Sequence, residues 1–175
     1  MLPISASDGS VTPFNQTLFT STSAVCVTGL IVQDTATHWS LLGQIIILML
    51  IQIGGMGVIT IGLAVLRATG RKIGLWQRST MQESISAPQV GGIVRLTRFI
   101  VLSSLGMEAV GALLLIPSMI PRFGVGKGIW YAVFHAVSAF CNAGFDLMGR
   151  LEPYSSFTWF RDDWMVNLVL IALIL

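Results

Sequence analysis

Two stretches of this chain carry the same string at the same spacing. LFTSTSAVCVTGL (residues 18–30) and VFHAVSAFCNAGF (residues 133–145) align without a gap, pairing Phe19 with Phe134, Ser23-Ala24 with Ser138-Ala139, Cys26 with Cys141 and Gly29 with Gly144. The chemistry such a unit could perform is the holding of a dehydrated cation, which needs several oxygens at the spacing of its lost water shell. Main-chain carbonyls provide them where the backbone runs extended and irregular, and inside a bilayer that is tolerated only along a water-filled path. A Gly reaches backbone angles that a side chain resists. A short helix ending just before it turns its partial negative pole to the site. Small Ser23, Ala24, Ser138 and Ala139 let each loop pack on its helix, and the Thr28 hydroxyl is one further candidate oxygen.

The elements around each copy fit that reading. Residues 13–29 and 126–144 are apolar stretches too short to span a bilayer, which takes about 20 helical residues. They are expected to be re-entrant helices, the first with Thr12 and Pro13 at its N-cap and first turn. Residues 39–66 carry no charge, have Gln44 and Gln52 as their only strongly polar side chains, and are thinned by Gly54, Gly55, Gly57 and Gly62 for close packing. Residues 99–121 form a second span, which Pro117 should kink or bring towards its exit. Glu108, near its middle, must face protein or water. It is either a pore-lining acid or a hydrogen-bonded carboxyl locking two helices, and the second is favoured because no basic partner is visible.

Charge supports a membrane topology. The chain has 54% hydrophobic and 10% charged residues, and its mean hydropathy is +0.79, far from the balance of soluble domains. Six of the ten basic residues (Arg67, Arg71, Lys72, Arg78, Arg95, Arg98) lie between the two spans against one acid, Glu83. This is the positive-inside signature of a cytoplasmic loop; a nucleic-acid patch would leave the flanking spans unexplained. Both copies of the motif then lie on the outer side. The start, MLPISASDGSVTPF, lacks the basic and apolar regions of a secretory signal. The end, NLVLIALIL, is an apolar run too short to cross, so a piece of a longer membrane protein is expected.

Other residues carry weaker signals. His135 and Cys141 are two ligands without a third, which makes no zinc site, and His135 reads as a polar packing residue. His38, Trp39, Trp159 and Trp164 suit interfacial anchoring. Asp146 either attracts cations to the outer mouth or caps the turn after the second loop. Cys26 and Cys141 suggest no disulfide scaffold. A membrane redox protein built on them, or a scaffold without transport, are the readings of another class. No catalytic triad or carboxylate pair is present, so no enzyme is expected.

The strings FTSTSAVCVTGLIVQDTATHW, GQIIILMLIQIGGMGVITIG and FHAVSAFCNAGFDL closely resemble the ion-translocating subunits of the Ktr potassium uptake systems, in the Trk/Ktr/HKT superfamily. The resemblance covers nearly the whole chain. It implies an all-α polytopic membrane fold of four helix–pore-loop–helix units around one pore, about two of them here. It places Gly29 and Gly144 as filter glycines, with Val27, Thr28, Asn142 and Ala143 offering carbonyls and Cys26, Leu30, Cys141 and Phe145 flanking them. It further implies K+ as cargo, held only by filter backbone, with Na+ a second cation that stimulates uptake. Partners would be a second copy in a homodimer, a cytosolic nucleotide-binding regulatory ring (RCK/KTN type) and membrane lipid, with no bound cofactor. A bacterial plasma membrane is the implied location, and a Trk-type or sodium-permeable transporter the alternative.

The expected order is an outer loop (1–12), first pore helix and filter loop (13–37), transmembrane helix (38–66), basic cytoplasmic loop (67–98) and transmembrane helix (99–121). A second pore helix and filter loop (122–147), an outer loop (148–163) and the start of a further transmembrane helix (164–175) complete it. Pore arginine and gating loop belong, by the resemblance, to later units.

Overall fold

The computed structural model describes residues 3–57 and 93–175. Their regular structure is helical, with one isolated β-bridge between Ala6 and Trp39. In chain order the helices are α1 (Phe14–Val25), α2 (Leu41–Gly55), α3 (Ile93–Phe123), α4 (Val125–Phe140) and α5 (Trp164–Ile174), with short 3-10 turns at Pro3–Ser5, Met148–Arg150 and Ser156–Phe160. Two units divide the chain: Met1–Gly55 with Met107–Leu175, and Met56–Gly106. Of the second, the described residues are Met56, Gly57 and the opening turns of α3. Residues 58–66 of the expected first span and 67–92 of the expected basic loop lie outside the described residues, while 93–98 already belong to α3. Arg95 and Arg98 are exposed in the first turns of α3.

Residues Arg98–Phe123 are long and apolar enough to cross a membrane. Pro117 does not bring this helix to its exit: α3 runs through Pro117 and Pro121 to Phe123. Membrane helices tolerate proline because neighbouring groups take up the carbonyl it frees. At its C-terminal end Arg122 finds two partners, donating to the Trp159 carbonyl at 3.2 Å and lying 4.0 Å over the Phe160 ring.

The larger unit is organised around α4. Tyr131, Ala132, Phe134, His135, Ala136, Val137 and Ser138 of this helix are all buried. The apolar ones among them join Ile51 of α2, Leu115 and Met119 of α3, Val166 of α5, and Phe145, Leu147, Met148 and Phe160 of the connecting segments in one apolar core. α1 is far less enclosed, burying Thr20, Ser23 and Ala24. The matched phenylalanines of the doubled string differ accordingly: Phe134 is fully buried and Phe19 is 43% exposed.

Glycines set the closest approaches. A Cβ on Gly128 would meet the Ile120 backbone at 2.9 Å, so the first turn of α4 lies tightly against the last turns of α3. A Cβ on Gly54 would run into the Val25 carbonyl at the end of α1, and one on Gly55 into the Cys141 side chain beyond α4. The expected close packing at these two glycines is therefore seen, and it brings the end of α2 against both copies of the motif at once.

Candidate functional site

Each copy of the string ends its helix with the same hydrogen-bonded turn. Cys26 and Cys141 cap α1 and α4 with nearly identical angles, φ −80° and ψ −1° against φ −77° and ψ −3°. The next residue is left-handed in both, Val27 and Asn142 at φ 56°. Their N–H groups donate to the Ala24 and Ala139 carbonyls at 3.3 and 2.9 Å. One residue on, Thr28 donates to the Ser23 carbonyl at 3.0 Å, and Ala143 to that of Ser138 at 2.7 Å. This pairing satisfies carbonyls that a helix end otherwise leaves open. A second left-handed residue comes next in each, Gly29 at φ 73° and Gly144 at φ 71°. Asn tolerates the left-handed region; for β-branched Val it is a strained outlier. Strain of this kind persists where the surroundings over-determine it.

The two turns meet at their glycines. A Cβ on Gly29 would stand 2.6 Å from the Ala143 carbonyl oxygen and 3.2 Å from the Gly144 Cα. The C-terminal ends of α1 and α4 lead directly into this meeting point, and such ends carry partial negative charge. The Thr28 hydroxyl is turned back to its own helix, donating to the Ser23 hydroxyl at 2.9 Å. Leu30 is 61% exposed beyond the first glycine, while Phe145 is 2% exposed beyond the second.

The segments leaving the two glycines are held differently. After Gly144, the Ser138 hydroxyl donates to the Phe145 carbonyl at 2.6 Å, and the Leu147 N–H donates to His135 Nε2 at 2.9 Å. The other ring nitrogen of His135 pairs with the Tyr131 carbonyl at 2.6 Å, so Nδ1 carries the proton and Nε2 accepts. His135 is thus a packing residue, as expected, and also the clamp on the loop's exit. Asp146 caps the turn by accepting from the Met148 N–H at 2.8 Å. Burial pushes its carboxyl above the ordinary carboxylate range, against the lowering effect of the Met148 N–H, and the charge of Asp34 adds to the rise.

After Gly29 no backbone–backbone hydrogen bond joins residues 29–33 among the described residues. The Gln33 side chain donates to Gln16 Oε1 of α1 at 3.2 Å, and the next residue, Asp34, is a buried carboxylate that sequence reasoning passed over. The DTAT string was the available signal, since Asp favours turns in which it accepts from N–H groups two and three positions on. Gln44 was also missed as a link. Its side chain donates to the Trp39 carbonyl at 3.1 Å and accepts from Trp130 Nε1 of α4 at 2.9 Å.

Glu108 is hydrogen-bonded between helices, accepting from Gln52 Nε2 at 2.7 Å. It is 5% exposed, a buried carboxyl held between α2 and α3. Thr12 does not cap α1. The N-cap position is Pro13, without a side-chain cap bond, and the Thr12 hydroxyl pairs with His38 Nε2 at 3.0 Å instead. His38 stacks edge-on against Trp39, ring centroids 4.9 Å apart. Both cysteines are free, Cys26 exposed and Cys141 buried. Among the described residues no three His, Cys, Asp or Glu side chains gather as a metal site.

Helical regular structure with an apolar helix of membrane length is the architecture of a polytopic α-helical membrane protein. The chain belongs to the TrkH family of cation transport proteins, which it matches over residues 2–175. It is 43% identical over 148 residues to the potassium/sodium uptake protein NtpJ of Enterococcus hirae, covering 85% of this chain and 33% of that protein. It is 42% identical over 149 residues to the Ktr system potassium uptake protein B of Bacillus subtilis, covering 84% and 33%. With the Ktr system potassium uptake protein D of the same organism, identity is 32% over 175 residues, covering 99% and 38%. The chain thus spans about a third of the length of the curated relatives it matches.

Proposed function

We propose that this chain forms two walls of a potassium filter in the plasma membrane of a bacterium, as part of a multi-pass uptake protein. The observation that carries this reading is the matched pair of turns meeting at Gly29 and Gly144. In each, a left-handed residue, a residue of ordinary φ and a left-handed glycine alternate. Reversing handedness at alternate positions lets successive carbonyls share one side, which is what a dehydrated cation requires. The carbonyls of Val27, Thr28, Gly29, Asn142, Ala143 and Gly144 are the proposed ligands, with K+ as cargo and the ends of α1 and α4 adding field.

The rest of the assembly is proposed from the relatives. Two loops enclose half of a fourfold site, so conduction belongs to the whole protein. A homodimer on a cytosolic nucleotide-binding subunit, with Na+ as a stimulating ion, is the arrangement proposed for the complete system. The sodium-permeable alternative draws support from the relative named a potassium/sodium uptake protein.

Growth rescue of a potassium-uptake-deficient host by the complete reading frame tests the reading. Gly29→Ser and Gly144→Ser should each shift preference from potassium towards sodium. An unchanged preference in both would sink the filter assignment.

A further inference from the structure

The geometry points to Asp34 as a positioning residue that fastens the exit of the first loop to the segment following the second. This inference rests on the filter reading above. Asp34 stands five positions after Gly29 and is 6% exposed. Its Oδ1 accepts from the Ala36 N–H at 2.9 Å, the Thr37 N–H at 3.0 Å and the Thr37 hydroxyl at 3.1 Å. Its Oδ2 accepts from the Tyr154 N–H at 3.0 Å, across 120 positions of chain. A Cβ on Gly149 would fall on this carboxylate, so the turn after the second loop is built around it.

Three observations give that contact a purpose. The second loop's exit is gripped by its own helix through His135 and Ser138. The matching residues of the first copy are Thr20 and Ser23, whose side chains bond within their own helix and to Thr28. The first exit lacks this grip: its own helix holds it through a side-chain bond, Gln33 Nε2 donating to Gln16 Oε1 at 3.2 Å, and the next residue, Asp34, ties it to Tyr154. Tyr154 is also left-handed, at φ 60°, although its residue surface is 60% exposed. That left-handed backbone is held by the turn bond from the Ser155 N–H to the Glu152 carbonyl at 3.1 Å and by the bond from its own N–H to Asp34. Finally, a buried carboxylate is costly unless its oxygens are satisfied, and among the described residues no ion pair involves Asp34. N–H and O–H donors alone satisfy it, so its place depends on the two segments that supply them.

The test uses the complete transporter in membranes, measuring KM for potassium and potassium-over-sodium preference, which do not depend on copy number, beside surface abundance. Asp34→Asn keeps one acceptor for the local turn but sets an NH2 against one group of N–H donors. Partners that orient cation ligands change affinity by about tenfold or more when altered. Asp34→Asn should therefore raise KM by about tenfold and lower the preference, with maximal uptake per surface copy changing less. Gly149→Ala, which displaces the carboxylate without removing it, should act in the same direction and have no added effect in an Asp34→Ala background. Unchanged KM and preference in Asp34→Asn would overturn the inference, as would a Gly149→Ala effect of equal size with and without the carboxylate. If Asp34→Asn fails to reach the membrane, Gly149→Ala gives the same decision. Gly29→Ser is run alongside: a shift there without one at Asp34 or Gly149 removes this inference alone, whereas silence at Gly29 and Gly144 removes the filter reading.

Discussion

Val27 and Asn142 hold the same backbone angle, φ 56°, at equivalent points of two turns. One is a residue that resists this conformation and the other a residue that tolerates it. The geometry is therefore imposed by the turn's hydrogen bonds rather than chosen by the side chain. Val27→Asn should stabilise the protein by about 1 kcal/mol by relieving left-handed strain, and Asn142→Val should destabilise it by about as much. Thermal melting in detergent checks both, and equal effects of the same sign would contradict the argument.

Gly29 and Gly144 are matched in angle but not in room. A Cβ at Gly29 would meet the Ala143 oxygen at 2.6 Å, whereas one at Gly144 meets only the Gly29 Cα at 3.4 Å. Gly29→Ala should therefore impair potassium uptake more than Gly144→Ala does. Uptake per surface copy is the measurement, and the reverse order would refute the crowding.

The Gln52–Glu108 bond predicts an asymmetry between its partners. Glu108→Gln keeps an oxygen for the Gln52 amide and should be close to neutral. Gln52→Ala leaves a buried carboxyl unsatisfied and should cost about 1–3 kcal/mol. Denaturant unfolding of the two variants in detergent separates these outcomes.

Asp146 predicts a pH dependence of stability. Its folded-state pKa is raised, chiefly by burial, so the fold binds this proton more tightly than the unfolded chain does. The group therefore favours folding when protonated, and that contribution is lost as pH rises through the raised pKa. Asp146→Asn retains the acceptor for Met148 and removes the charge. It should melt above the parent at neutral pH, with the difference shrinking as pH falls into the carboxylate range.

The doubled string made the two turns legible because a helix end, a left-handed residue and a Gly are local events written in adjacent residues. Gly54 and Gly55 were legible for a similar reason, since small residues announce close approach before the neighbour is known. Asp34 was not, because half of its meaning lies in the main chain of Tyr154, whose N–H has no sequence signal. His135 could be placed as a packing residue, but its hold on Leu147 depends on a loop folding back onto its own helix. Pro117 allowed a kink or an exit, and the helix continues through it, since an apolar surrounding with neighbouring groups tolerates a helical proline. Thr12 likewise had the right residue type for a cap, yet its hydroxyl goes to His38.

The adjacent glycines at the end of α2 have a mechanical consequence. Gly54 rests on the end of α1 and Gly55 on the residue that caps α4, so a single rigid rod bears on both loops through neighbouring residues. Any tilt or axial shift of that rod reaches two quarters of the proposed filter together, and neither can be adjusted without disturbing the other.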